Sequence, residues 1–270
     1  MITQTKQYKS AIVILGMHRS GTSALARILN LLGCDIPRTL IEPNEGNEKG
    51  YWESPLINRL NDDVLASGGM SWRDWRDFDK DWHEDQKHIE FKSRALNILE
   101  NEFGSSNLFV LKDPRISRLA IFWSRVLKDF KANMLTVCLV RNPLEVAASL
   151  HKRNNIEPII SYLIWLRYIL DAEFYTRGTP RLFVNFDGLL ANWRRETERV
   201  SKRLKISWPI LPAQVENEID EFLSIEQKHY NMSSVDLFED ISIPEWLKKT
   251  FGIINKWSNV RENKSNYNEN

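Results

Sequence analysis

The chain predicts an α/β fold, a parallel β-sheet covered by helices on both faces. Three observations carry that prediction. Four short runs, AIVIL (11–15), LFVL (108–111), MLTVCLV (134–140) and RLFVNF (181–186), have the unbroken apolar character of strands buried on both sides. Helical patterns alternate with these runs, as they do in βαβ units. The first run leads through a glycine turn straight into a helix, a junction whose ligands lie at the carboxyl ends of the strands.

The elements follow in order. After the first strand, TSALARILNLLG keeps Leu25, Ile28, Leu29 and Leu32 on one helical face and stops at Gly33, a suitable residue just past a helix end. The interval 35–106 holds little strand signal and reads as an insertion of loops and helices lying over the sheet. Following the second strand, SRLAIFWSRVLKDF places Leu119, Trp123, Val126, Leu127 and Phe130 on one stripe. NPLEVAASL opens with Asn142 as cap and Pro143 at the first helical position. LLANWRRETERVSKRL reads as one helix, with Leu189, Trp193, Thr197, Val200 and Leu204 at spacings of three and four. A C-terminal helical extension over about 213–257 is expected to pack on the sheet edge. Residues 1–257 therefore form one expected domain, and the polar segment 258–270 a flexible tail.

Bulk properties narrow the function classes. With 270 residues, 42% hydrophobic and 27% charged, the composition is that of an ordinary globular chain. The 37 basic and 36 acidic residues nearly cancel, leaving a net charge of +1, so neither nucleic acid nor an anionic membrane is expected as a partner. Any anion site must be built locally. Cys34, assigned to an apolar helix, and Cys138, in an apolar strand, read as buried thiols rather than a disulfide, and no Cys/His cluster suggests zinc. The polar start MITQTKQYKS and the five-residue apolar run after it are too short for a signal segment or membrane span, which predicts a cytoplasmic protein.

The glycine turn is the strongest local signal. Gly16-Met17-His18-Arg19-Ser20-Gly21 has the G-x-x-x-x-G spacing of a phosphate-binding P-loop, but Thr22 and Ser23 occupy the positions of the usual lysine and hydroxyl. Such a turn gathers backbone N–H groups and a positive helix end into one concavity. The hydroxyls of Ser20, Thr22 and Ser23 and the forked guanidinium of Arg19 add donors. The bland alternative is a glycine turn that only caps its helix. Downstream, CLVRNPLEVAASL sets Arg141 at a strand end and Ser149 about two helical turns on, able to grip a second phosphate. Arg141 has an alternative as an ion pair with Glu145. A nucleotide-dependent kinase is a competing function, since Asp113 follows LFVLK where a Mg²⁺ carboxylate would sit, but Thr22 at the lysine position opposes it. A non-catalytic nucleotide- or glycan-binding module is a third class.

In order and spacing, GMHRSGTSAL followed by RNPLEVAAS resembles the sulfotransferase superfamily, whose donor is 3′-phosphoadenosine 5′-phosphosulfate. RLFVNFDGLL is similar to the Tyr-Glu-Asp-Leu segment of that family, with Phe186 and Gly188 as departures, and LKDPRISRL resembles the Lys-Asp-Pro segment of the protein-tyrosine sulfotransferases. With NEKGYWES and LIWLRYILDAEF included, the string is most like a bacterial branch often found near carbohydrate-modifying enzymes. The matched motifs run from about 11 to 205.

The resemblance implies that His18, Arg19, Ser20, Gly21, Thr22 and Ser23 hold the 5′-phosphosulfate and that Arg141 and Ser149 hold the 3′-phosphate. It implies adenosine 3′,5′-bisphosphate as product and no metal. It assigns Lys112 to the charge that develops on the leaving oxygen, with Arg19 and Ser20 assisting. Asp113 then either orients Lys112 or starts the turn at Pro114. For the base that takes the acceptor proton, Glu42, Glu45, Glu48 and Glu53 are the candidates. Glu53 is favoured because Tyr51 and Trp52 precede it and are positioned to shield it. Trp52, Trp72, Trp75 and Trp82, concentrated in the insertion, lean the expectation toward a carbohydrate or other small acceptor. The charged run WRDWRDFDKDWHEDQKH is expected to be a solvated, salt-bridged face.

Overall fold

Strand β1 (Lys9–Leu15) lies between β2 (Leu108–Lys112) and β3 (Ala132–Val140), and β4 (Arg181–Asn185) flanks β3, so the order is β2-β1-β3-β4 with every pair parallel. This computed structural model describes residues 9–44, 47, 49–79, 81–84, 86–225, 232 and 234–260. All four expected strands are present, β1 and β3 each starting two residues early. Their apolar runs are continuous because both faces are covered. From β1, Ala11, Val13 and Leu15 enter one core, and Ile12 and Ile14 enter the other.

Helix α1 (Thr22–Leu31) packs in the second core with Leu25, Ile28 and Leu29, and the chain turns at Gly33 as expected. The insertion supplies α2 (Pro55–Ser67), a 3-10 turn (Asp81–Glu84) and α3 (Gln86–Phe103), which cover the first core. Asp113 starts a second 3-10 turn (Pro114–Ser117) by accepting the Arg115 N–H, and α4 (Ala120–Asp129) follows. Asn142 caps α5 (Pro143–Asn154), whose first residue is Pro143, and α6 (Pro158–Tyr175) runs beside it.

The rest of the chain departs from expectation in its details. The segment 189–204 is not one helix. It breaks at Asn192 into α7 (Phe186–Ala191) and α8 (Trp193–Leu204), because the Asn192 side chain accepts the Arg195 N–H and so caps the second helix. The expected C-terminal helical extension is present and, among the described residues, consists of α9 (Glu216–Ile225), α10 (Ser234–Glu239) and α11 (Glu245–Asn259). Helix α11 packs on edge strand β4, but it runs two residues into the expected tail, whose residues 261–270 lie outside the described part. Neither cysteine forms a disulfide and both are buried; Cys138 is in β3 as expected, but Cys34 stands just beyond α1 rather than in it. Burial pushes the Cys34 thiol up to about 12. Among the described residues no helix is long and apolar enough to cross a membrane.

From β1 the chain returns to β2 on one side and reaches β3 on the other. The carboxyl end of β1 is thus a topological switch point, the place where open α/β sheets bind ligands. Gly16, Lys112, Arg141 and Phe186 all follow or end these four strands, so they converge at one edge of the sheet.

Candidate active site

The loop between β1 and α1 is shaped by two glycines. Gly16 has φ +151°, and a Cβ there would lie 2.8 Å from the Leu139 carbonyl oxygen of β3. Gly21 has φ +87°, and a Cβ there would lie 2.1 Å from the Phe186 ring. Phe186, a departure from the resembled motif, is thus the residue against which the loop closes. Between them Arg19 takes φ +69°, an arrangement costing a non-glycine residue about 1–3 kcal/mol, and one that clusters at functional sites.

The residues of this loop fit an anion. Helix α1 opens with no side-chain cap, so its first N–H groups point into the concavity unclaimed by the helix itself. The Ser20 hydroxyl is buried with no hydrogen-bond partner. Ser23 Oγ accepts from Lys112 Nζ at 2.9 Å and from Asn47 Nδ2 at 3.3 Å, which leaves its own O–H to donate. Capping alone explains none of these features.

Lys112, the last residue of β2, reaches across to the same loop. Its ammonium donates to Ser23 Oγ, to the Tyr51 carbonyl at 2.8 Å, and to Glu53 Oε1, with which it forms a buried ion pair. Lys112 is 2% exposed and Glu53 4%. Burial raises the Glu53 carboxyl above the ordinary carboxylate range, against the pull of Lys112. Of the other three candidate bases, Glu42 is exposed, and Glu45 and Glu48 lie outside the described residues. Tyr51 and Trp52 have polar partners of their own. The Tyr51 hydroxyl donates to Asn44, and the Trp52 ring lies under the Arg27 guanidinium at 4.7 Å. Asn58 is the neighbour of the second Glu53 oxygen, at 3.5 Å. Asp113 does not touch Lys112: it accepts from Arg115 and, at 3.1 Å, from Asn58.

Arg141 and Ser149 both converge on Arg19. Arg19 Nε donates to Ser149 Oγ at 2.8 Å, and Arg141 Nη1 donates to the Arg19 carbonyl at 2.9 Å. The alternative anticipated for Arg141 is also present, since its Nε donates to Glu145 Oε2 at 2.8 Å. Its guanidinium stands 4.8 Å from the Phe186 ring centroid. Helix α5 is therefore tied to the first loop through the two arginines.

The tryptophans of the insertion divide. Trp82 is not at the site: it is 5% exposed, in an aromatic cluster with Phe78, His88, Phe91 and Phe122, and its Nε1 donates to Ser67 at 2.8 Å. The charged run around it is accordingly not a wholly solvated face, because Phe78, Trp82 and His88 turn inward to cover the sheet. Trp75 is 46% exposed. Trp72 is brought to the loop, its ring 4.6 Å from that of His18. Tyr168 of α6 holds it there by donating to the Trp72 carbonyl at 3.0 Å, and Arg118 binds the Asp74 and Arg76 carbonyls beyond it.

His18 is enclosed by Trp72 and Tyr168, and its Nε2 is buried without a partner. Burial, with the charges of Arg115, Arg153, Lys112 and Arg19, holds its pKa well below the ordinary value, so the ring is neutral at neutral pH. Sequence reasoning did not single out Arg153, Asn58 or Tyr168. For Arg153 a signal existed: it follows Ser149 by four residues, which sets both on one face of α5.

No family model matches the chain, and no curated protein matches its sequence. Among solved structures, the fold is similar to the sulfotransferase domain from the Synechococcus PCC 7002 olefin synthase, with a TM-score of 0.48 and 14% identity over 92% of this chain and 96% of that one. It is also similar to the sulfotransferase domain from the curacin biosynthetic pathway, with a TM-score of 0.46 and 14% identity over 84% and 80% of the two chains.

Proposed function

We propose that this chain is a sulfotransferase that moves a sulfuryl group from 3′-phosphoadenosine 5′-phosphosulfate to the hydroxyl of a small or carbohydrate acceptor. The observation that carries the reading is the buried Lys112–Glu53 pair set on Ser23 of an uncapped anion loop. It supplies, at one point, a cation for a leaving phosphate oxygen and a carboxylate for an acceptor proton.

The residues divide the work as follows. The N–H groups at the start of α1, the hydroxyls of Ser20, Thr22 and Ser23, and Arg19 hold the 5′ end of the donor. Arg141 and Ser149, already gathered around Arg19, serve its 3′-phosphate. All three ammonium protons of Lys112 are engaged, on Ser23, Tyr51 and Glu53, so the lysine exchanges one of these partners for the bridging oxygen as charge grows there. Glu53 takes the acceptor proton, and its raised pKa makes it a stronger base than an exposed carboxylate. In an in-line displacement of this kind, positioning and charge stabilisation account for most of the rate.

A kinase reading would ask Asp113 to hold Mg²⁺. Both of its oxygens are instead committed to Arg115 and Asn58, which favours the sulfuryl reading. Calorimetric titration without metal separates the two. Tight binding of adenosine 3′,5′-bisphosphate and none of ATP is expected, and the reverse would overturn the proposal.

A further inference from the structure

The charges around the site are not evenly satisfied. Lys112 pairs with Glu53, Arg115 with Asp113 and Asp62, and Arg141 with Glu145. Arg153 forms no ion pair among the described residues and feels the Glu53 carboxylate, already paired with Lys112, only at longer range. Its Nε donates at 2.6 Å to the neutral Oδ1 of Asn154, and its guanidinium stands 5.9 Å from the Trp72 ring centroid. Burial and then the like charge of Arg19 pull its pKa below the ordinary value. A partly buried cation beside other cations is a net cost to the fold unless something anionic joins it.

Its place in the fold indicates what that is. Arg153 lies one helical turn past Ser149, away from Arg141, so it stands beyond the donor loop and faces the insertion that carries Trp72 and Glu53. The neighbouring His18 Nε2 is a buried polar atom without a partner, and the backbone of Trp72, whose ring lies beside it, is bonded by Tyr168.

We propose that the acceptor is itself an anion, and that Arg153 beside Trp72 holds its carboxylate, phosphate or sulfate group while the reacting hydroxyl lies toward Glu53. This rests on the sulfotransferase reading and names its substrate class. A neutral acceptor leaves Arg153 uncompensated, whereas an anionic one with an apolar or ring-shaped body meets both the guanidinium and the indole. Arg153 is then a specificity-determining residue.

The test uses the full chain saturated with adenosine 3′,5′-bisphosphate, so that the donor loop is filled. It is titrated with 4-nitrobenzoate, 4-nitrophenyl phosphate, 4-nitrophenyl sulfate and neutral 4-nitrobenzamide, with tryptophan fluorescence as readout. At least one anion is expected to bind about ten-fold or more tightly than the amide. That preference should vanish in Arg153→Gln and partly survive in Arg153→Lys, with neither variant melting below the parent protein. The proposal is overturned if no anion outbinds the amide, or if the preference persists in Arg153→Gln. It is equally overturned if Arg153→Gln weakens the bisphosphate itself, which would place Arg153 in the donor site. Failure of the bisphosphate to bind the unaltered protein strikes the donor assignment instead, and the same titration without nucleotide still reads whether anion preference follows Arg153.

Discussion

Lys112→Met tests the centre of the site through stability as well as rate. Methionine preserves most of the side chain's length and bulk, so the chief loss is the ammonium. Glu53 is then left buried with Asn58 at 3.5 Å as its nearest polar neighbour. Removing one partner of a buried pair costs about 3–5 kcal/mol while the survivor stays charged. The survivor escapes by taking a proton, and this sets the sign of the pH dependence. Burial already raises its pKa above the ordinary value of 4.5 against the pull of Lys112, and losing that pull raises it further, so the folded variant binds more protons than the folded parent and its deficit in stability grows as pH rises. At low pH that penalty is mostly escaped by protonation of Glu53. By pH 8 it approaches the full 3–5 kcal/mol. At about 2–4 °C per kcal/mol for a chain of this size, Lys112→Met should melt roughly 6–20 °C below the parent at pH 8 and clearly less far below it at pH 5. Calorimetric melts of both proteins at pH 5, 6.5 and 8 measure the difference, and adding Glu53→Gln should erase its pH dependence. Equal depressions at pH 5 and pH 8 would refute the buried pair. In the same variant the transfer rate should collapse while bisphosphate affinity holds; a loss of affinity alone would make Lys112 a binding residue.

Gly21→Ala places a Cβ against the Phe186 ring at a left-handed φ, so it should cost at least about 1–2 kcal/mol from backbone strain and abolish donor binding; thermal melting and titration check both, and Phe186→Leu in the same chain should restore part of the stability. Arg141→Ala should weaken adenosine 3′,5′-bisphosphate binding by about 1.5–3 kcal/mol, the range for a charged hydrogen bond. Unchanged affinity in that titration would reduce Arg141 to a structural partner of Glu145. Trp82→Ala should destabilise the fold by about 3–5 kcal/mol in denaturant melts and leave bisphosphate affinity untouched, because the ring is packed in the core rather than against the loop.

What could be read in advance follows from how far apart in the chain the determinants lie. The four strands were legible because a strand covered on both faces is apolar without interruption, and α5 because Asn142 and Pro143 announce its start. The break at Asn192 was missed although its cap is local, since the apolar spacing from Leu189 to Leu204 runs unbroken through it. The burial of Trp82 was not legible, because its charged neighbours in sequence are not its neighbours in space. The same limit applied to the choice among four glutamates. Only the fold brings Glu53 to Lys112, which is 59 residues away.

The missing lysine of the first loop shows why the distinction matters chemically. Thr22 stands where a nucleotide-hydrolysing loop has its cation, yet the loop is not without one. Lys112 reaches Ser23 from the end of the neighbouring strand, 89 residues further on, and brings Glu53 with it. A lysine on the loop's own helix would be free to follow a phosphate. One rooted in β2 and bound to Tyr51 and Glu53 is instead held beside the loop together with a buried carboxylate. In the proposed sulfuryl transfer, moving the cation from the helix to the adjacent strand would couple charge stabilisation to proton removal, which transfer to a hydroxyl requires and phosphate binding alone does not.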